Sequence, residues 1–405
     1  MFPWGSVHSR SLPSVSSGET PLNQSPRTWR TQVKTKRHGA VVGLIAAGAL
    51  LLTACGSDNN TAATGSSSTG GASTPSVPVE CGGKTKLNAE GSSAQKNAID
   101  TFVQAYQQQC AGADLAYNGS GSGAGIKNFN AGQVDFGGSD SAMKDAEIAA
   151  ATERCQGNPA WHLPMVFGPV ALGYKLNGVT DLALNAEVTA KIFNGSVKKW
   201  NDPAISALNS GAKLPDTEIK VVYRNDESGT TDNFQKYLTT AAPAAWTQGD
   251  GKQFKGGVGE GKEKSAGVAQ AVASVDGAIT YVELSYAQDN KLSIAKIDSG
   301  AGAVELTGES VGKAIDSAKI KGEGNDLVLD LNSIYGTKAA GAYPLLLATY
   351  EIVCSKGYDA DTAKAVKAFL TVAATTGQAG LADAGYAPLP DAFQEKLLTA
   401  IKAIA

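Results

Sequence analysis

Three turns in this chain set glycine beside serine or threonine where a strand gives way to a helix: Gly91-Ser92-Ser93, the run Gly119-Ser120-Gly121-Ser122-Gly123-Ala124-Gly125, and Ser228-Gly229-Thr230-Thr231. Small residues let the backbone approach a ligand and leave the first helical N–H groups free, and a helix N-terminus with free donors attracts anions. Ser and Thr hydroxyls add further donors. Each turn taken alone is also explained by ordinary N-capping; three in one chain favour a shared anion. Two charged residues stand beside them. Arg224 ends a strand four residues before the Ser-Gly-Thr turn, where its planar fork could grip the same oxyanion. Asp140, in Asp135-Phe136-Gly137-Gly138-Ser139-Asp140-Ser141, follows a strand end, the place where open α/β sheets bind ligands. Asp226 is either a turn residue or the group that steadies Arg224.

Other chemistries fail on their partners. Only His8, His38 and His162 occur, two of them near the N-terminus, which argues against a His-based hydrolase or a zinc enzyme. Gly308-Glu309-Ser310-Val311-Gly312 fits a nucleophile elbow, but that fold needs a histidine after the serine and none follows. Ser310 therefore reads as a helix cap, and His162 as a strand-edge residue. The stretch Gly256–Lys262 nearly spells a P-loop, with Glu263 where Ser or Thr is required. Gly119-x-Gly121-x-x-Ala124 imitates a dinucleotide fingerprint, but an exported chain meets little nucleotide cofactor. No cofactor and no metal are expected.

Stepping along the chain, short apolar strands alternate with helical stretches. Strands are expected at 86–89, 115–117, 134–137, 163–167, 170–175, 219–223, 278–282 and 345–353. Helices are expected at 95–109, 125–131, 146–153, 186–193, 232–239, 268–275 and 363–370. Such alternation indicates an α/β class with mostly parallel pairing. A length of 405 residues suits two domains.

The leader points to export. Lys34, Lys36 and Arg37 precede an apolar run from Ala40 to Ala54, which ends Leu52-Thr53-Ala54-Cys55. That is a secretory signal, too short for a comfortable membrane span of about 20 residues, and its ending resembles a bacterial lipobox with Cys55 as the lipidated residue. The polar residues 1–32 are unnecessary for export and are expected to precede the true start at Val33. Of residues 56–80, 14 are Gly, Ser or Thr, so a flexible tether follows. Residues 1–54 hold six Lys/Arg and one Glu, leaving 29 basic and 37 acidic residues beyond them, or −8. So acidic a body has no electrostatic footprint for nucleic acid and no bulk steering of anions. Cys81, Cys110, Cys155 and Cys354 make an even set in an exported chain and imply two disulfides. Three connectivities are open; we favour Cys81–Cys110 with Cys155–Cys354. A four-thiolate zinc site lacks any Cys-x-x-Cys spacing.

Taken together, the segments 119–126, 134–141, 192–202, 208–214, 221–230 and 277–287 resemble the phosphate-binding lipoprotein, the substrate-binding subunit, of the high-affinity phosphate ABC transporter, of actinobacterial type. The pieces Val-Asp-Phe-Gly-Gly-Ser-Asp and Arg-x-Asp-x-Ser-Gly-Thr are the specific ones. The usual aromatic of the first loop is Ala94 here, which matters little if that position contributes its N–H. The resemblance implies an α/β, two-lobed periplasmic-binding-protein fold of type II, with two mixed or parallel sheets flanked by helices and a hinge of two crossings near Phe167 and Tyr343. The expected layout is signal peptide and extension at 1–54, a lipid-anchored linker at 55–83, lobe one at 84–166 plus 344–405, and lobe two at 167–343. Phosphate would be held by Ser93, Ala94, Ser122 and Asp140 from lobe one and by Arg224, Ser228, Gly229 and Thr230 from lobe two. The partners implied are phosphate, a permease, an ATPase and the membrane, for a chain that is a monomer and not an enzyme.

Selectivity follows from charge alone. Phosphate near neutral pH carries a proton and sulfate carries none, so a pocket carboxylate accepts a bond from the first and repels the second. A binder of another oxyanion or of an organophosphate is the alternative on the same fold. A surface phosphohydrolase would need a metal cluster or an activated nucleophile that the sequence does not display.

Overall fold

The computed structural model describes residues 77–405. The expected signal peptide, Cys55 and the linker as far as residue 76 lie outside the described residues. The last linker residues, 77–83, are tied to the body: Cys81 is bonded to Cys110 and the Lys84 N–H donates to the Asp361 carbonyl.

Strand β1 (Lys86–Gly91) buries Leu87, Ala89 and Gly91 in alternation, the period of a half-covered strand. Helix α1 (Lys96–Gln109) turns Ile99, Phe102 and Tyr106 inward at helical spacing. Strand β2 (Asp114–Asn118), helix α2 (Ser122–Asn130), strand β3 (Phe136–Ser139) and helix α3 (Asp145–Arg154) complete the first run of α/β units. Strand β4 then runs unbroken from Ala160 to Lys175. The sequence reads as two strands there, 163–167 and 170–175, and proline at 164 and 169 removes two ladder donors. A bulge opposite Thr349 and Tyr350 accommodates Pro164, and Pro169 sits where β4 changes partner.

Next come β5 (Ala183–Asn185), α4 (Ala186–Phe193), α5 (Pro203–Ser206), β6 (Lys220–Arg224), α6 (Gly229–Ala241), β7 (Glu260–Lys262), α7 (Lys264–Ser274), β8 (Ala278–Glu283) and α8 (Leu284–Asp289). Short pieces follow: β9 (Ser293–Ile294), β10 (Lys296–Asp298), β11 (Ala303–Val304), α9 (Gly308–Ile315), β12 (Lys319–Ile320), β13 (Leu329–Asp330) and α10 (Asn332–Tyr335). Strand β14 (Leu346–Cys354), helix α11 (Ala360–Ala374) and helix α12 (Asp391–Lys402) close the chain.

Nine strands form one mixed sheet in the order β2-β1-β3-β14-β4-β8-β6-β7, with β9 also on β4. The expected pair of sheets is thus joined along the long strands: β4 pairs antiparallel with β14 through Pro169 and antiparallel with β8 from Val170. Strands β1, β2 and β3 are mutually parallel on one side, and β6, β7 and β8 on the other. Parallel pairing lines up the C-terminal ends of β1 and β3, at Gly91 and Ser139, and those of β6 and β8, at Arg224 and Glu283. Those are the strand ends where an open sheet binds ligands. The hydrophobic core is continuous through both halves, with Phe369 stacked on Phe136 on one side and Phe234 stacked on Tyr281 on the other.

Both disulfides have the favoured pairing, Cys81–Cys110 and Cys155–Cys354. His162 stands near the start of β4 with only β14 paired beside it; the segment at Asp326 and Leu327 covers its other edge and buries it, its Nε2 accepts from the Met143 N–H and its Nδ1 lies 2.8 Å from Asp326 Oδ1. One expectation is corrected. Ser310 is not the cap itself: Thr307 caps α9, and Ser310 closes the box from the third helical position.

Candidate functional site

Asp140 stands just beyond β3 with its carboxyl almost fully buried. Oδ1 accepts hydrogen bonds from Ser92 Oγ at 2.6 Å and Thr349 Oγ1 at 2.7 Å, and Oδ2 accepts one from Ser122 Oγ at 3.1 Å. Burial pushes the carboxyl up to about 6, the Ser92 and Thr349 hydroxyls hold it back, and nearby Glu283 raises it further. Ser122 opens α2, one residue after Gly121 at φ +106°, a backbone state suited to glycine. The Ser122 hydroxyl accepts the N–H groups of Asp140 and of Gly229, each at 3.1 Å. It therefore links the two halves of the sheet.

Arg224 ends β6 and is buried with its guanidinium. Its Nε donates to Asp226 Oδ1 at 2.7 Å and its Nη2 to Asp226 Oδ2, while Nη1 donates to Ser265 Oγ at 3.1 Å. Burial opposes the positive charge, but the Asp226 carboxylate outweighs it and raises the guanidinium above its ordinary value. For Asp226, burial likewise works against ionisation, and Arg224 together with the Lys264 N–H lowers it overall. Of the two readings of Asp226, the one that steadies Arg224 describes the geometry.

The expected contact residues converge on one region, with different duties. Ser93 Oγ meets Ser265 across the sheet halves, accepting its N–H at 3.1 Å and lying 3.0 Å from its hydroxyl. The Ala94 N–H donates to Ser92 Oγ at 3.0 Å. Ser228 is an N-cap of α6, its Oγ accepting from the Thr231 N–H. Capping thus explains Ser228 but neither Ser93 nor Ser122. Gly229 is a close approach: a β-carbon there would come within 2.5 Å of Ser122 Oγ and 2.6 Å of Asp140 Cβ. The Thr230 hydroxyl donates to Glu283 Oε1 at 2.5 Å. Helices α2 and α6 both begin three residues earlier than expected, because Gly, Ser and Thr are weak helix formers and only tertiary contacts secure those first turns.

Some members of the site are not among the expected contacts. Ser92, Thr349, Ser265 and Glu283 all bond directly to the expected residues. Ser92 belongs to the first glycine-serine turn but is not assigned a contact of its own there. Glu283 and Thr349 carried a faint signal, as polar residues inside otherwise apolar strands with every position buried. Ser265 carried none, since a serine in a polar stretch is unremarkable. Further bonds join the two sides: Gly123 N–H to the Glu227 carbonyl, Ser141 Oγ to Asp232 Oδ2 at 2.6 Å, and Asn233 Nδ2 to the Asp140 carbonyl at 2.7 Å. Asp140 and Ser141 also border a cavity of about 130 Å³. A larger groove of about 620 Å³ is apolar and lies elsewhere, along Val221, Val258 and Val275. It contains none of these groups.

Chemically the region combines one guanidinium, several hydroxyls and first-turn N–H groups with buried carboxyls. Such donors are the groups that bind small oxyanions. The PBP superfamily domain matches residues 58–375. Phosphate-binding protein PstS 3 of Mycobacterium leprae is 54% identical over 375 residues, covering 92% of this chain and all of that one. Phosphate-binding protein PstS 2 of Mycobacterium tuberculosis is 49% identical over 377 residues, with the same coverage. Among solved structures, the high-affinity periplasmic phosphate-binding protein PfluDING bound with phosphate superposes with a TM-score of 0.63 at 21% identity, covering 78% of this chain and 93% of that one. That last likeness is one of fold. With a superfamily match across most of its length and relatives at half identity end to end, the chain belongs to the PBP superfamily and, within it, to the family of the PstS phosphate-binding proteins.

Proposed function

We propose that the protein binds inorganic phosphate between the two halves of its sheet and delivers it to the permease and ATPase of an ABC importer, without chemistry on the ligand. The observation that carries this is Asp140: a buried carboxyl among anion-binding donors is useful only for an oxyanion that brings its own proton. Arg224, Ser93, Ala94, Ser122, Ser228, Gly229 and Thr230 supply the donors, and Asp226 orients Arg224. The relatives bear phosphate-binding names, which supports the same ligand.

In this reading, 84–166 with 344–405 form one lobe and 167–343 the other. Strand β4 runs through the change of partner at Pro169 and Val170, and β14 begins opposite Pro169, which supports two crossings near Phe167 and Tyr343 about which the lobes close. Phosphate stabilises the closed form that the permease recognises. The chain works as a monomer, exported and held at the outer face of the membrane by lipid on Cys55.

Titration calorimetry tests the ligand, after bound anion has been stripped by unfolding and refolding. Tight one-to-one binding of phosphate with sulfate silent is expected, and Asp140→Asn should narrow that gap by about ten-fold or more. Silence toward phosphate with binding of another anion would move the function to that anion.

A further inference from the structure

Glu283 is the one carboxyl at these strand ends whose bonding is incomplete. It ends β8, beside the end of β6 that carries Arg224, and it is fully buried. Oε1 accepts the Thr230 hydroxyl, while Oε2 has no hydrogen-bond partner among the described residues. A buried carboxyl oxygen without a partner is costly, roughly 1–3 kcal/mol or more. The sequence around it, Ala278-Ile279-Thr280-Tyr281-Val282-Glu283, is a strand with every position buried, in which a carboxyl has no packing reason to stand. The titratable and charged groups around it are Asp140, Arg224, Tyr286 and Tyr386. None of these donates to Oε2.

Thr230 gives the connection to the ligand. A hydroxyl has one hydrogen, and this one is donated to Glu283. If Thr230 turns its hydrogen toward an anion, Glu283 loses its only donor and needs another. The residue before Thr230 is Gly229, pressed against Asp140, so the two carboxyls face the same turn from opposite halves of the sheet.

We propose that Glu283 is a second acceptor of the site, taking a hydrogen bond from a phosphate O–H as Asp140 takes another, so that the protein selects an oxyanion bearing two shared protons. This rests on the phosphate reading above and extends it from one carboxyl to two. The formal position of the second proton, on the phosphate oxygen or on Glu283, does not alter the count. Sulfate offers none, and it meets two acceptors with nothing to give them. Each is an independent barrier.

The experiment compares phosphate and sulfate affinities, by calorimetry, for the unaltered protein, Glu283→Gln and Glu283→Asp. Circular dichroism and thermal melting check that each variant folds. Glutamine keeps an oxygen for Thr230 and replaces the unpartnered acceptor by a donor. The expected result is a phosphate-to-sulfate ratio about ten- to hundred-fold smaller in Glu283→Gln, with sulfate binding strengthened, and a ratio largely retained in Glu283→Asp. An unchanged ratio in Glu283→Gln overturns the proposal, whether both affinities hold or both fall together, because a structural role alone would weaken both anions alike. If Glu283→Gln does not fold, Glu283→Ala is read by the same ratio: a smaller phosphate-to-sulfate ratio supports the carboxyl acceptor, and an unchanged ratio overturns it. If the unaltered protein binds no phosphate, the phosphate reading fails first and the proposal with it.

Discussion

Glu351 lies on β14 two residues after Thr349, fully buried, with neither carboxyl oxygen hydrogen-bonded among the described residues. Burial pushes it up to about 8, the Gln95 side chain holds it back, and Asp140 raises it further. The native state therefore keeps a proton that the unfolded chain has released between the ordinary carboxyl range and pH 8. Unfolding in that window releases protons, so stability is greatest at the acid end and is lost as pH rises, by roughly 1.4 kcal/mol per pH unit for each such group. Asp140, raised to about 6, adds to the slope over the lower part of the window. Denaturant midpoints measured from pH 5 to 8 should fall with pH. Glu351→Gln should flatten the stretch from 6 to 8 and leave the lower stretch sloping; an unaltered profile would mean that Glu351 is not the group responsible.

At the level of elements, the turn into α6 does two jobs in one backbone. Ser228 closes the helix start, while the Gly229 N–H reaches across to Ser122. Glycine is required there by closeness and not by φ, since an added β-carbon would meet Ser122 Oγ and the Asp140 side chain inside contact distance. Gly229→Ala should leave the melting temperature near that of the unaltered protein, because the clash falls where the halves meet and not within either. It should weaken phosphate by about ten- to hundred-fold, the overpacking cost of 1–3 kcal/mol expressed as affinity. Calorimetry beside a melting curve separates the two effects. A large loss of stability with affinity kept would place the contact in the fold instead. The start of α2 obeys the same logic: Gly121 adopts φ +106° and Gly123 donates to the Glu227 carbonyl, so neither position had room for the apolar periodicity that marks a helix.

Across the whole molecule the two disulfides act on different lengths of chain. Cys81–Cys110 spans 29 residues and ties the first described segment to the end of α1. Cys155–Cys354 spans 199 residues and joins the end of α3 to the end of β14. In the chain-entropy account the longer loop contributes about 5 kcal/mol and the shorter about 4 kcal/mol. Replacing the pair Cys155 and Cys354 by alanine should lower the denaturant midpoint more than replacing Cys81 and Cys110. The reverse order, from equilibrium unfolding of both variants, would show that anchoring the N-terminal segment outweighs loop entropy.

Residue chemistry that is local in the chain was legible from the start. The glycine-serine turns, Arg224 four residues before Ser228 and Asp140 after a strand end announce themselves because backbone freedom, helix starts and charge are properties of neighbours. So does the α/β alternation, since strand and helix periods are read within a few residues. What only the tertiary structure decided depends on residues far apart. The two halves of the sheet are joined into one because β4 is long enough to hold β14 at one end and β8 at the other, despite two prolines. Thr349 reaches Asp140 from 209 residues away, and Ser265 reaches Ser93 from 172. Glu283 looks in the sequence like a stray charge at a strand end and in the fold like an acceptor beside Thr230. Periodicity reports whether a residue is buried; it carries no record of which donors burial has brought to it.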